Sequence, residues 1–171
     1  MGKTLVRRYG SVALLFVAVA AFIGYFAVRY DIGFNGAPVQ CLYAKYFIID
    51  TWDKNIEEGD LVAFEMNKDN EYFPKGLKWI KIAAAKPSSV VNKTPHSVTT
   101  SSGKTYNVNM SLMVTYLNQK NPQISFDDFT GEITTKADEW FVLGETESSY
   151  DSRYWGPIKT KDIIGKAYAI F

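Results

Sequence analysis

The sequence predicts a mostly β domain attached to a single N-terminal transmembrane helix. An uncharged apolar run lies near the N-terminus, and short segments rich in aromatic and β-branched residues follow it. We expect a cytoplasmic N-terminus over residues 1–10, a membrane anchor over residues 11–30 and an extracytoplasmic β domain over residues 31–171.

The apolar run covers residues 11–28 and contains no charged residue. As a helix rising about 1.5 Å per residue it would span roughly 27 Å, close to the hydrocarbon thickness of a bilayer. Basic residues precede the run, and the charges directly after it nearly cancel, so the positive-inside rule places the N-terminus in the cytoplasm. A cleavable signal peptide would have a shorter apolar run and a small-residue cleavage site. A buried soluble helix would need a larger core than the remaining chain can supply.

Strand-like segments dominate the rest of the chain. Strands are predicted at residues 42–49, 61–66, 77–85, 105–109 and 141–143, with a candidate final strand at residues 162–171. Residues 101–104 predict a hairpin turn. Residues 110–118 fit a helix or a strand, and residues 122–135 predict a polar excursion over the surface.

Composition excludes several classes of function. Lys plus Arg total 19 and Asp plus Glu total 18, so charge gives no reason to expect a nucleic-acid partner. The one cysteine, Cys41, cannot form an internal disulfide. The one histidine, His96, lies in a polar stretch, so a His-based triad is not expected. The acidic residues show no metal-ligand spacing, and we expect no metal and no cofactor.

Two sequence blocks carry a family resemblance. Residues 144–156 read GETESSYDSRYWG. They resemble the C-terminal signature of type I signal peptidases, in which Gly-Asp-Asn and a spacer precede Ser-x-Asp-Ser-Arg, an aromatic pair and Gly. Glu145 and Thr146 depart from the usual Asp-Asn. Residues 79–85, WIKIAAA, resemble the strand that carries the family's catalytic lysine, although KPSS replaces the usual Pro-Gly-Asp after it.

The resemblance implies a signal-peptidase-like β domain with a Ser/Lys dyad. In that arrangement Lys81 is the general base, Ser149 hydrogen-bonds its amine, and Asp151 and Arg153 form an ion pair that braces the loop. A lysine acts as a base only after losing its proton, and burial among apolar groups favours that loss. Taken alone, Lys81 also fits a solvated strand residue. Lys78 is three positions away and points to the opposite face of a strand, so only one of the two can face a site.

The resemblance places the nucleophile at Ala37, between the anchor and the GDLVAF segment at residues 59–64. Alanine has no hydroxyl, so the chain as written cannot form an acyl-enzyme. Three explanations stand: an engineered serine-to-alanine change, a natural pseudoenzyme, or a misalignment in which Cys41 or a nearby serine is the nucleophile. A lone cysteine is more often a small buried hydrophobe. By the same resemblance, the Ala37 backbone amide and Asn35 are the candidate oxyanion donors.

The C-terminal residues, DIIGKAYAIF, resemble the ending of TraF-type peptidases of conjugative transfer systems. These single-anchor proteins mature pilin subunits, and in some systems they join the pilin's ends into a ring. The resemblance implies a bacterial inner-membrane protein with a periplasmic catalytic domain. Its partners would be the bilayer, a membrane-bound pilin or pre-protein, and other conjugation-apparatus proteins. The alternatives are a general type I signal peptidase that removes leader peptides, and a non-catalytic pilus assembly factor that binds pilin.

A membrane-facing apolar patch containing Phe47, Trp52 or Trp155 is a further hypothesis. Burial of these rings would contradict it.

Overall fold

The computed structural model describes residues 2–35, 40–68 and 72–170. In these ranges a mostly β domain follows one long helix, which confirms the predicted fold class. The helices are α1 (Gly2–Arg29), α2 (Ser111–Lys120) and α3 (Ser152–Trp155). The strands are β1 (Tyr30–Phe34), β2 (Tyr46–Asp50), β3 (Leu61–Met66), β4 (Leu77–Ala85), β5 (Val90–Lys93), β6 (Ser97–Thr100), β7 (Thr105–Asn107), β8 (Gly131–Thr134), β9 (Glu139–Leu143), β10 (Ile158–Lys159) and β11 (Ile163–Ala169). Two 3₁₀ turns lie at Phe126–Asp128 and Thr160–Asp162.

Helix α1 is long and apolar enough to cross a membrane. Its most apolar stretch, Val12–Arg29, has a mean hydropathy of 2.2, and none of that stretch is buried inside the protein. The alternative of a buried soluble helix is therefore wrong. The helix ends at Arg29 and β1 begins at Tyr30, so no linker separates the helix from the domain.

The strands form two antiparallel sheets. Seven of them make a large sheet in the order β1-β2-β11-β3-β4-β9-β10, and four make a smaller sheet in the order β7-β6-β5-β8. The small residues at the end of β4, residues 83–85, are fully buried. They contribute to two apolar clusters, one with Val62, Phe64 and Val142, the other with Val91, Val98 and Phe141.

The large sheet curls so that its first strand faces its fifth. A Cβ added to Gly33 in β1 would lie 2.6 Å from Cδ1 of Ile80 in β4, although the two strands are not neighbours in the sheet. The Lys78 amine in β4 also bonds Asp31 of β1 at 2.8 Å. This curl leaves a groove between β1 and β4.

Two of the predicted strands, β3 and β4, have the predicted bounds. The strand predicted at residues 42–49 begins only at Tyr46, so its first half is wrong. The reason is that the preceding backbone bonds a distant turn instead of a neighbouring strand. The Tyr43 amide donates to Glu145 Oε2 at 2.8 Å, and the Glu145 amide donates to the Cys41 carbonyl at 2.8 Å.

Two stretches that the sequence left ambiguous or predicted as a polar loop contain a helix and a strand. The ambiguous residues 110–118 fall largely in helix α2, which buries Met113, Val114 and Leu117. The predicted polar excursion over residues 122–135 is wrong in part, because β8 lies within it and pairs with β5. Strands β1, β5, β6 and β10 were not predicted, and all four have five residues or fewer.

The predicted membrane-facing patch is mostly wrong. Phe47 is only 1% exposed because β2 turns it toward the interior, and Trp155 packs half-buried against a core cluster. Trp52, at 56% exposure, is the one ring of the three that faces outward.

Substitution of Gly165 by alanine is expected to destabilise the domain. Gly165 lies where the β11–β3 register shifts, and an added Cβ would overlap the Asp50 carbonyl and lie 2.9 Å from Thr51 Cα. Backbone atoms cannot move aside cheaply, so we expect a loss of about 1–3 kcal/mol on chemical denaturation in detergent. Gly24→Ala is the control, because no heavy atom lies within 4 Å of its added Cβ. Equal midpoints for the two variants would contradict this account.

Candidate active site

Strand β4 places one lysine inside the domain and one outside. Lys81 is only 1% exposed, whereas Lys78 is exposed and pairs with Asp31 at the surface. The prediction that the two lysines point to opposite faces is confirmed. The interpretation of Lys81 as a solvated strand residue is wrong.

The Lys81 amine bonds a buried serine. Lys81 Nζ donates to Ser149 Oγ at 2.7 Å, and the Ser149 hydroxyl donates to Asp151 Oδ2 at 2.8 Å. Within the three described ranges of the chain, no carboxylate forms a salt bridge with Lys81. The hydrogen-bond partner of this buried amine is therefore a neutral hydroxyl.

Asp151 and Arg153 form a buried ion pair directly behind that serine. Arg153 Nε lies 2.8 Å from Asp151 Oδ1, Arg153 Nη2 lies 2.8 Å from Asp151 Oδ2, and the two side chains are 1% and 0% exposed. Arg153 Nη2 also donates to the Ser149 carbonyl at 3.1 Å. Burial alone would raise the pKa of the Asp151 carboxyl, but the charge and hydrogen bonds of Arg153, helped by the Gly144 amide, hold that pKa below its ordinary value. Asp151 is therefore ionised, and Arg153 counters its charge.

The turn at residues 144–148 holds the segment that follows position 39. The Thr146 and Ser148 hydroxyls both donate to the Gln40 carbonyl, and Glu145 bonds Cys41 and Tyr43 as described above. The two residues that depart from the family signature, Glu145 and Thr146, thus make contacts between the turn and this segment, together with Ser148. Gly144 permits the close approach, since an added Cβ would lie 2.6 Å from the Cys41 carbonyl oxygen.

Ala37, the predicted nucleophile position, lies outside the described residues, as does its backbone amide. The residues on either side of the gap are at the groove: Asn35, Cys41 and Leu42 line the same cavity as Lys81. The Asn35 side-chain amide donates to the Leu42 carbonyl at 3.1 Å, which leaves its second N–H for another acceptor. The catalytic and oxyanion roles of these residues stay predictions.

The groove is large and mainly apolar, with a volume of about 980 Å³. Strand β1 forms one side, and helix α2 with the segment after residue 71 forms another. Sequence reasoning missed this second wall, which includes Tyr72, Phe73, Leu112 and Tyr116. The sequence contained a signal for this wall: residues 112, 113, 116, 117 and 120, which line the groove, recur at the spacing of one face of a helix. In the described part of the chain, no group of three His, Cys, Asp or Glu side chains could hold a metal ion.

The family profile described as signal peptidase, peptidase S26, matches residues 6–171. The chain belongs to this family of serine peptidases. The crystal structure of a signal peptidase I from Enterococcus faecalis V583 is similar over 67% of this chain and 97% of that one, at 20% identity and a TM-score of 0.42. No curated protein matches the chain. Membership of the signal peptidase family implies a precursor protein as substrate and, together with α1, indicates a membrane-anchored protein.

The substitution Arg153→Met should strongly destabilise the domain near neutral pH. It leaves the Asp151 carboxylate buried without its partner, and we expect a loss of about 3–5 kcal/mol at about pH 7. In the unmodified chain the Asp151 pKa lies below its ordinary 3.8, so that carboxylate contributes stability above pH 3.8 and loses it as the pH falls through the folded-state pKa.

In the variant the shift of the Asp151 pKa reverses its direction, because burial without the arginine raises that pKa and favours the protonated carboxyl. The deficit should therefore shrink between about pH 7 and about pH 5, as measured by denaturant unfolding. Lys159→Met is the control, since its ion pairs with Asp138 and Glu139 are at the surface and their loss should change little. A deficit that is the same at both pH values would contradict the assignment.

Proposed function

We propose that the chain is the scaffold of a membrane-anchored Ser/Lys-dyad endopeptidase that processes, or processes and cyclises, pilin precursors of a conjugative transfer system. The observation that carries the proposal is the buried series of contacts from Lys81 through Ser149 and Asp151 to Arg153, beside a groove that Lys81 lines. With Ala37 at the nucleophile position, the chain as written does not cut.

The chemistry needs one more group, a serine hydroxyl at position 37. Lys81 would take the proton of that hydroxyl as its oxygen attacks the scissile carbonyl, and would return a proton to the departing amine. Water would then resolve the acyl-enzyme by hydrolysis, whereas an amine of the pilin itself would close a ring. Ser149 would orient the Lys81 amine, and the Asp151–Arg153 pair would hold Ser149 in place. The residue 37 amide and the second Asn35 N–H would be the oxyanion donors.

The shape of the groove supports an extended, largely apolar peptide as substrate. Strand β1 is at the edge of the large sheet, and its residues 31–34 line the groove. An edge strand can bond an extended peptide through its free backbone groups, while pockets beside it select side chains. Apolar residues such as Phe34, Ile80 and Leu112 are suited to the apolar segment of a precursor.

The C-terminal sequence DIIGKAYAIF, most of which forms β11, supports the pilin-processing branch over the general one. The same proposal places the protein in a bacterial inner membrane, with residues 1–10 cytoplasmic, residues 11–30 as the anchor and the domain over residues 31–171 in the periplasm. Its partners would be the bilayer, the pilin precursor and other conjugation-apparatus proteins.

Restoring serine in the Ala37→Ser variant is expected to produce cleavage of a membrane-bound pilin precursor. Adding Lys81→Ala should lower the rate by about 100- to 10,000-fold, the usual contribution of a general base. Lys86→Ala is the matched control, because Lys86 is exposed at the end of the same strand and should be replaceable. Mass spectrometry of the product separates a linear pilin from a ring, which is lighter by one water.

The substrate range decides between the alternatives. Ala37→Ser protein that removes leaders from exported pre-proteins and ignores pilin would be a general type I signal peptidase. Protein that cuts neither substrate but retains the pilin precursor in a pull-down would be a pilus assembly factor. Equal rates with and without Lys81 would overturn the dyad.

A further inference from the structure

The junction between helix and domain is clamped by an ion pair. Arg29, the last residue of α1, donates from Nε to both carboxylate oxygens of Asp50 at 3.1 and 3.0 Å, and from Nη2 to Asp50 Oδ2. Asp50 is only 4% exposed and also accepts from the Trp52 amide at 3.1 Å. The contact with Arg29 holds the pKa of the Asp50 carboxyl below its ordinary value, so the acid is charged.

Aromatic rings surround this pair. The Arg29 guanidinium carbon lies 5.2 Å from the Tyr30 ring centre, 5.7 Å from that of Trp52 and 5.9 Å from that of Tyr25. Arg29 Nη1 donates to the Tyr25 hydroxyl at 2.6 Å, and the Tyr25 and Trp52 rings meet edge to face at 5.5 Å. Rings of this kind beside an arginine are typical of the membrane–water interface. We call Tyr25, Arg29, Tyr30, Asp50 and Trp52 the anchor joint.

The backbone is fixed at the same place. The Arg29 carbonyl, at the helix end, accepts from the Thr51 amide at 2.9 Å and the Thr51 hydroxyl at 2.8 Å. These bonds satisfy one of the carbonyls that a helix end leaves without an intrahelical partner, and the strand begins at the next residue. The described contacts therefore hold α1 to the domain through side chains and main chain together.

The joint is also connected to the candidate active site. The five residues of β1 lead from it toward Asn35, a distance of roughly 16 Å at about 3.3 Å per residue. On the way, Asp31 bonds Lys78, and Gly33 packs near Ile80, both in the strand that carries Lys81. A rotation at the joint would therefore move the groove with it.

An apolar cavity of about 550 Å³ lies next to the joint, between α1 and the first two strands. Phe22, Ile23 and Phe26 of the helix face Ile32 and Ile48 of the sheet across it. Such a lining is suited to lipid acyl chains, which places the joint at the edge of the hydrocarbon region.

We propose that the anchor joint sets the depth of the active site: it holds the groove at a fixed height and orientation over the bilayer, so that only peptide bonds at one distance from the membrane reach Lys81. Arg29 and Asp50 are positioning residues in this account. The statement about which bond is cut rests on the proposed function, whereas the statement about depth does not.

Depth can be measured without any catalysis. Cys41 is the one cysteine of the chain, is partly exposed and lines the groove, so a fluorophore attached to it reports the height of the site. The full-length chain is reconstituted into vesicles whose lipids carry quenchers at graded depths. We expect a narrow distribution of fluorophore depths for the unmodified joint, and a displaced or broader distribution in Asp50→Asn. Lys159→Gln, which breaks a surface ion pair remote from the helix, should keep the original depth.

Arg29→Lys is the second variant, chosen because it keeps the charge but loses the two-pronged contact with the carboxylate. It should fold even if Asp50→Asn does not, and it should also broaden the distribution of fluorophore depths. Unchanged depth in whichever of these variants folds would overturn the proposal.

An activity measurement in the Ala37→Ser background tests the consequence for substrates. Asp50→Asn should slow cleavage of a membrane-bound precursor by at least about tenfold, because a misplacement of about 1 Å can cost up to about 100-fold. Cleavage of a water-soluble peptide should be unchanged, and equal slowing of both substrates would overturn the depth-setting role. If the joint variants show a displaced depth but the Ala37→Ser protein cuts no substrate, the depth-setting role of the joint is supported and only the proposed peptidase function is contradicted.

Discussion

The buried pair of Asp151 and Arg153 is the contact on which the arrangement of the candidate site depends. Asp151 accepts five hydrogen bonds: from the Gly144 amide, the Ser149 hydroxyl, and three donors of Arg153. Removing either ion would leave the other buried and uncompensated, which proteins tolerate poorly. The end of β9, the turn after it and the start of α3 are therefore stable in this arrangement only together. Extended backbone at Asp151 puts Ser149 on the same side, and the helix that begins at Ser152 brings Arg153 back to its carboxylate.

The same pair decides what Lys81 bonds. Two basic side chains lie around one carboxylate, and the planar fork of Arg153 matches both carboxylate oxygens in a way that a lysine cannot. Lys81 consequently meets the Ser149 hydroxyl instead of an acid. Among the described residues, Lys81 bonds this hydroxyl and forms no ion pair with a carboxylate, and it lines the groove. Under the proposed function, this division of partners is what would leave Lys81 available as a general base instead of tying it into a structural ion pair.

The sequence was most informative where function depends on local pattern. Alternation along β4 indicated that Lys81 and Lys78 lie on opposite faces, and the resemblance of SYDSR to the family signature implied which groups accompany Lys81. Features that depend on distant pairings were not predictable. The curl that brings Gly33 to Ile80 requires knowing the order of all the strands. The helical spacing behind the α2 wall of the groove was present in the sequence, but the pattern over residues 110–118 also fitted a strand. Glu145 and Thr146 were visible as departures from the family signature, but their bonds to residues 40–43 depend on backbone 100 positions earlier.

Those bonds also hold the residues on either side of the segment that contains Ala37. The undescribed segment is flanked by Asn35, held to Leu42 and Lys45, and by Gln40, held by the hydroxyls of Thr146 and Ser148. None of these contacts uses the side chain at position 37, and neither do the contacts among Lys81, Ser149, Asp151 and Arg153. Under the proposed function, the stability of this framework would rest on these contacts and its reactivity on position 37, so a chain without the hydroxyl would keep the groove and the buried lysine and would bind a precursor that it does not cut.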